Sequence, residues 1–238
     1  MDKPLAIVTG AGSGIGRELS NNLKTFYEVI RITKDNYSAE DWIFQCDVGR
    51  KKDVEYLAEI LNPIMKDGVK LLVNCAAVNR IEFLENLSVE DWDECYSSNV
   101  RSVFLMSKHF LSSLSKAKGI ICNIGSIAGK QPMRATLPYC SSKAALTMMT
   151  RQMARELYDR YNVSVFEFSI GARVQGTGMT EYVRQQVCKV RGWKEEEYDS
   201  RDEGLKMSVE EISSLMMEWL KDFDKLWMLN GSIVEIGG

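Results

Sequence analysis

Short apolar runs rich in Val and Ile alternate along this chain with longer stretches in which apolar residues recur every three or four positions. The two periods predict strands and helices in alternation. Strands are expected at Leu5 to Thr9, Val29 to Thr33, Ile43 to Cys46, Lys70 to Asn74, Gly119 to Ile124, Ser164 to Ile170 and Ser232 to Ile236. Helices are expected from about Ile15 to Lys24, onward from Lys51, and around 89–115, 136–159 and 209–221. Such alternation builds βαβ units, so the predicted fold is a single doubly wound α/β domain of Rossmann type over residues 1–238, with a seven-stranded parallel sheet and helices on both faces. Ser88 with Asp91, and Ser208 with Glu211, place a capping hydroxyl three positions before an acidic side chain and mark two helix starts.

Composition narrows this picture. The chain has 238 residues, 45% hydrophobic and 26% charged with four prolines, which is globular and far from disordered or collagen-like classes. A net charge of −3 gives no reason to expect nucleic-acid binding, which needs clustered Lys and Arg. The first apolar strand is too short for a signal peptide or a membrane span. Six cysteines without a C-x-x-C pair read as reduced thiols, and a cytoplasmic location is the expectation. The one strongly polar stretch, Arg191 to Glu203, is expected to be a solvated helix or loop, with a mobile lid over a substrate pocket as the functional alternative.

Candidate chemistry begins at Thr9-Gly10-Ala11-Gly12-Ser13-Gly14-Ile15-Gly16, between the first strand and the first helix. Missing Cβ atoms there let the backbone turn sharply and approach a pyrophosphate at the helix N-terminus. The glycines spell G-x-x-x-G-x-G rather than the strict G-x-G-x-x-G, so the strand-turn-helix context carries the assignment. At the end of the second strand, a carboxylate would bind the ribose 2′-hydroxyl of NAD. Thr33 followed by Lys34 stands there instead and favours NADP(H) over NAD(H), although Lys34 and Asp35 also read as turn residues.

Tyr139 and Lys143 are four apart at the start of a helix, so phenol and ammonium share one face. Bringing a phenol from pKa about 10 toward neutrality takes roughly 4 kcal/mol, which a lysine charge about 4 Å away in an effective dielectric of about 20 could supply. Ser126 follows the fifth strand at the carboxyl edge of the sheet, where its hydroxyl could hydrogen-bond an oxygen that gains charge as hydride arrives.

With these residues in order, the chain resembles the short-chain dehydrogenase/reductase family over essentially its whole length. The resemblance rests on Thr9-Gly10-x-x-x-Gly14-Ile15-Gly16, Asp47-Val48, Asn74-Cys75-Ala76-Ala77, Asn99, Ser126, Tyr139 with Lys143, and Gly231. It implies an NADP(H)-dependent oxidoreductase that moves hydride between nicotinamide and a carbonyl or secondary alcohol, with Tyr139 as general acid and base. Ser126 would position the substrate oxygen, Lys143 would lower the Tyr139 pKa and hold the nicotinamide ribose, and Asn99 would hold a water that links Lys143 to solvent. Asp47 would accept from the adenine amino group and Asn74 would fix the sheet edge. The cofactor would also lie against Gly10, Ser13, Gly14, Ile15, Gly16, Thr33, Lys34, Val48, Ala76, Gly171 and Thr177. A homotetramer or homodimer built through the helices Asn99 to Ser115 and Tyr139 to Tyr158 is implied too.

Departures from the family pattern fall in three places. Asn74-Cys75-Ala76-Ala77 replaces N-N-A-G, Ile170-Gly171 replaces Pro-Gly ahead of a lengthened run to Thr177, and Val234-Glu235-Ile236-Gly237-Gly238 carries Ile for Asp. No long C-terminal substrate arm is expected, and a substrate loop is expected over about 171–208. His109 has no partner at metal-ligand spacing, so no metal is expected. The methionines at 148, 149, 153, 216 and 217 read as core or subunit-interface residues. Arg80, Arg134 and Arg173 follow the fourth to sixth strands and could receive an anionic substrate. Two rival readings remain: a catalytically silent NADP(H)-binding sensor or scaffold of the same fold, and a sugar-nucleotide epimerase or dehydratase with tightly held NAD.

Overall fold

The computed structural model describes residues 3–35, 42–201 and 204–237. Seven strands form one parallel sheet: β1 (Leu5–Thr9), β2 (Glu28–Thr33), β3 (Ile43–Gln45), β4 (Leu71–Asn74), β5 (Ile120–Ser126), β6 (Ser164–Ile170) and β9 (Ile233–Ile236). Their order is β3-β2-β1-β4-β5-β6-β9. Chain direction across the sheet therefore reverses between β1 and β4, and that switch point opens a crevice at the carboxyl ends of the two strands. Each expected strand is present within a residue or two of its expected bounds. The consequential shift is in β5, which runs on to carry Ser126 as its last residue.

Strands covered on both faces read as continuous apolar runs, and the side-chain period of two divides their residues between two cores. Ala6 and Val8 of β1 pack with Leu19 and Leu23 of α1 (Gly14–Leu23) and with Ile212, Met216 and Leu220 of α8 (Val209–Leu220). Ile7 points the other way, toward Val54 and Leu57 of α2 (Lys51–Leu61) and Met106 and Phe110 of α4 (Ser102–Ala117). The long α5 (Leu137–Tyr161) lies on that second face and starts with Pro138 in its first turn, where a missing N–H costs nothing.

Both expected caps form. Ser88 Oγ accepts from the Asp91 N–H at 3.1 Å, and at Ser208 the bond from the Glu211 N–H is returned by the Ser208 N–H to Glu211 Oε2 at 2.7 Å. The expected helix over 89–115 is instead two helices, α3 (Val89–Tyr96) and α4, joined by a π-helical turn at Ser97–Arg101. The wider turn puts Asn99, 1% exposed, against the interior. Apolar periodicity runs on through such a turn, so it leaves no mark in the pattern.

The expected substrate loop over 171–208 also differs. It holds β7 (Arg173–Val174), α6 (Gly178–Arg191), α7 (Glu195–Arg201) and β8 (Lys206–Met207), with β7 and β8 paired in a separate parallel ribbon. α9 (Phe223–Met228) follows α8. The polar stretch from Arg191 is thus largely an exposed helix, tied down by Arg184, whose guanidinium reaches Glu195 at 2.6 Å and Asp199 at 2.8 Å. Asp202 and Glu203 lie outside the described residues. Met216 is fully buried as expected, whereas Met148 is 63% exposed.

Candidate active site

The first wall of the crevice is backbone. Thr9, the last residue of β1, turns its hydroxyl across to β4, where Oγ1 accepts from the N–H groups of Cys75 at 3.0 Å and Ala76 at 3.2 Å. This clamp brings the glycine loop so close to the end of β4 that a Cβ on Gly10, whose φ is +66°, would lie 2.8 Å from the Ala76 backbone. A Cβ on Gly16 would lie 2.3 Å from the Gly10 carbonyl oxygen. Only glycine permits both approaches. Ser13 stands at the N-cap of α1 without a side-chain cap bond, so the first-turn N–H groups take no partner from that side chain.

Around this cradle the structure gathers the other residues expected of a dinucleotide site. Asn74 donates to Asn123 Oδ1 at 2.9 Å, while its own Oδ1 is buried without a hydrogen-bond partner. Thr177, which caps α6 by accepting from the Thr180 N–H at 3.0 Å, packs its methyl beside Gly14. Gly171 is pinned by its N–H to Ile236 O at 2.9 Å. The backbone cradle, the exposed helix N-terminus and the orphaned Asn74 acceptor together fit a pyrophosphate-linked dinucleotide.

At the far end, Lys34 and Asp47 form an ion pair at 3.3 Å. The cation expected to meet a 2′-phosphate and the carboxylate expected to meet adenine therefore face one another. Lys34 is largely exposed, and an exposed pair contributes at most about 1 kcal/mol, so it leaves Lys34 free to turn to a stronger anion. Arg50 and Lys52 line the same hollow as Lys34 and Asp47, and sequence reasoning missed both. Thr33 and Val48 are buried beneath it.

The second wall carries the titratable groups. Ser126 ends β5 with extended backbone, its Oγ accepting from the Ala128 N–H at 3.2 Å, and its hydroxyl lies beside the Tyr139 phenol. Lys143, 3% exposed, donates to Ile124 O at 2.8 Å, and its Nζ lies 5.7 Å from the centroid of the Tyr139 ring. The i, i+4 prediction thus places phenol and ammonium on one face of α5, converging on the end of β5. Their electrostatics run against the spacing argument. Burial pushes Tyr139 up to about 12, opposed by the Ser126 hydrogen bond, and burial pushes Lys143 down, opposed by the nearby Glu167 carboxylate. The expected drop toward neutrality left out the desolvation that both groups undergo.

Asn99 is brought to this site too, with its side chain already engaged. Nδ2 donates to Val78 O and to Ser142 Oγ, each at 2.9 Å, and Oδ1 accepts from the Val78 N–H at 2.8 Å. It therefore ties the loop after β4 to α5 one residue before Lys143. A water toward Lys143 could meet only its main chain or the remaining lone pair of Oδ1.

Of the three arginines, Arg80 is committed elsewhere: it pairs with Asp91 at 3.2 Å and with Glu94, and lies 5.5 Å from the Tyr182 ring. Arg173 stacks on Tyr198 at 4.9 Å, and Arg134 lies 5.4 Å from the Phe83 ring. The residue the sequence reading passed over is Glu167, fully buried in β6. Its signal was a lone carboxylate inside the apolar run Ser-Val-Phe-Glu-Phe-Ser-Ile. Among the described residues there is no cluster of His, Cys, Asp and Glu fit to hold a metal, and no helix long and apolar enough to cross a membrane.

Known proteins resemble this chain in sequence and in fold. The short chain dehydrogenase model matches residues 4–187. The (3R)-3-hydroxyacyl-CoA dehydrogenase of Mus musculus is 33% identical over 175 residues, 64% of this chain and 68% of that one. The 3-oxoacyl-[acyl-carrier-protein] reductase of Haemophilus influenzae is 29% identical over 170 residues, 67% of this chain and 70% of that one. The fold matches that of L-sorbose reductase from Gluconobacter frateurii, solved with NADPH and L-sorbose, at a TM-score of 0.84 and 20% identity over 100% of this chain and 96% of that one. A glycine cradle at the sheet's switch point, a Ser-Tyr-Lys wall beside it and a family model covering most of the chain agree, and the chain belongs to the short-chain dehydrogenase family.

Proposed function

We propose that the protein is an NADP(H)-dependent carbonyl reductase whose proton donor is Tyr139. The observation that carries this reading is the convergence of Ser126, Tyr139 and Lys143 beside a backbone cradle that excludes every Cβ at Gly10 and Gly16. NADPH, when bound, supplies the hydride. Gly10, Gly14 and the N-terminus of α1 would hold the pyrophosphate, Lys34 the 2′-phosphate, and Lys143 the nicotinamide ribose. Ser126 would orient the substrate oxygen, and Tyr139 would give it a proton as charge develops there. Burial keeps Tyr139 a phenol far above neutral pH, which suits an acid in reduction.

A 3-oxo group on an acyl thioester is the first substrate class to test, because two relatives are named for 3-hydroxyacyl-CoA and 3-oxoacyl carrier-protein chemistry. Exposed Phe104 on α4 and Met148 on α5 support a homo-oligomer through these helices. All six cysteines are unpaired, which supports a reducing, cytoplasmic setting. The test is fluorescence titration with NADPH and NADH, followed by an absorbance screen of ketones, aldehydes, 3-oxoacyl thioesters and keto-sugars with Tyr139→Phe as control. Turnover lost in the control supports the reading. Tight NADPH binding without turnover on any class would instead leave a silent NADPH-binding protein.

A further inference from the structure

A carboxylate occupies the middle of β6, a strand buried along its whole length. Glu167 stands on β6 opposite Asn123 of β5 and is fully buried. An isolated charge in such a place costs several kcal/mol, so partners must hold it. The partners come from one stripe of α5: Thr147 donates to Oε1 at 2.9 Å, and Thr150 Oγ1, whose proton also reaches Leu146 O at 3.0 Å, lies 3.4 Å from Oε2. Thr147 and Thr150 follow Lys143 at i+4 and i+7, so lysine and both hydroxyls share one helical face.

The sheet makes room for the carboxylate. A Cβ on Gly125 would fall 2.0 Å from Glu167 Oε1, and Gly125 lies between Ile124, whose carbonyl takes the Lys143 ammonium, and Ser126. Polar contacts continue sideways, from Asn123 Nδ2 to Thr150 Oγ1 at 2.8 Å and from Asn74 Nδ2 to Asn123 Oδ1 at 2.9 Å. Glu167 thus closes a buried polar chain that starts at the cofactor crevice and ends one helical turn beyond Lys143.

We propose that Glu167 is a positioning residue, whose buried carboxylate, held by Thr147 and Thr150, is the counter-charge that keeps Lys143 an ammonium aimed at the site. The inference rests on the reading that Lys143 serves NADPH beside Tyr139. Burial pushes Lys143 down, and Glu167 is the leading influence acting against it; burial likewise pushes the Glu167 carboxyl up, opposed by the Thr147 hydrogen bond, the Lys143 charge, the Thr150 hydrogen bond and Lys130. The other groups that bear on the pair are the thiols of Cys75 and Cys95 beside Lys143, that of Cys122 beside Glu167, and the ammonium of Lys130. Those thiols that burial has shifted stay neutral near pH 7: Cys75 and Cys95 are pushed up to about 11, and Cys122 well above its ordinary value. Lys130 is itself paired with Glu235 of β9. Among the described residues, Glu167 is the carboxylate that acts on Lys143.

The test follows the Lys143 ammonium directly, by NMR titration of protein carrying 13C at lysine Cε, with Lys143→Arg assigning the resonance. In Glu167→Gln, which keeps the shape and one amide acceptor, Lys143 should titrate about one pH unit lower than in the native chain, the effect of one unit charge through the interior. The alkaline limb of the NADPH dissociation constant should move with it. An unmoved Lys143 titration overturns the proposal, whatever the turnover. A moved titration in a protein that reduces no carbonyl compound upholds the coupling and removes the reductase reading instead. Should the Gln variant fail to fold, the native chain decides: the Glu167 side-chain 13C signal must report an ionised carboxylate at pH 7, and a protonated carboxyl there overturns the proposal.

Discussion

Two regions of the molecule are held in place by different forces. The cradle between β1 and β4 is fixed by backbone contact: Thr9 is clamped to Cys75 and Ala76, Gly10 lies against Ala76, and the two apolar cores grip the strands behind them. The described residues from Arg173 to Met207 are held by a ribbon of two residues a strand, whose Val174 and Met207 pack partly on the core, and by surface ion pairs of Arg184 with Glu195 and Asp199. Backbone contact backed by a core tolerates almost no change of shape, whereas exposed ion pairs are weak and easily rearranged. The comparison teaches that the glycine cradle is held rigidly and that the segment from Arg173 to Met207 has more freedom to adapt.

The sharpest break is chemical. Tyr139→Phe should lower kcat/KM by about 10³-fold with unchanged NADPH affinity, the usual range for a positioned proton donor. A loss under tenfold, measured with the best carbonyl compound found, would move the proton donor elsewhere. Gly10→Ala tests the rigidity of the cradle itself. A contact of 2.8 Å with backbone at positive φ leaves no room to relax, so a loss of about 1–3 kcal/mol and a Tm about 5 °C lower are expected, with NADPH binding weakened at least about tenfold. Calorimetry showing native Tm and affinity would mean that the clamp yields.

Lys34→Glu should raise KM for NADPH about tenfold or more while leaving KM for NADH within about twofold, by placing a carboxylate against the 2′-phosphate. An unchanged ratio of the two would assign the phosphate to Arg50 or Lys52 instead. On the adaptable side, Arg184→Ala should move Tm by no more than about 2 °C, because its partners are exposed, and should act on KM for substrate more than on kcat. The smallest effect expected is that of pH. With Tyr139 held up to about 12, the phenol stays protonated well above neutrality, so kcat/KM should be flat from about pH 6 to about pH 9 and fall as the Lys143 ammonium, which burial pushes down, loses its proton ahead of Tyr139. An alkaline limb near pH 8 would show that Lys143 prevails over burial during catalysis.

The sequence was legible wherever structure is local. Strand and helix periods located every strand of the main sheet, and the caps at Ser88 and Ser208 formed as expected, because each depends on residues within a turn or two of one another. The same locality made the Tyr139 and Lys143 pairing readable. It failed over 171–208, where mixed polar and apolar residues form short elements stabilised by distant partners, and at Ser97–Arg101, where a π-helical turn hides inside a continuous helical pattern.

By itself, then, the sequence determined the alternation of elements, the glycine loop and the face of α5 that carries the titratable pair, since these follow from spacing along one segment. Only the tertiary structure decided that Lys34 faces Asp47, that Arg80 is spent on Asp91 and Glu94, and that Glu167 settles against Gly125 beneath Lys143. Those pairings join residues of different elements and loops. Register across the sheet and desolvation on burial set them, and no local pattern contains either.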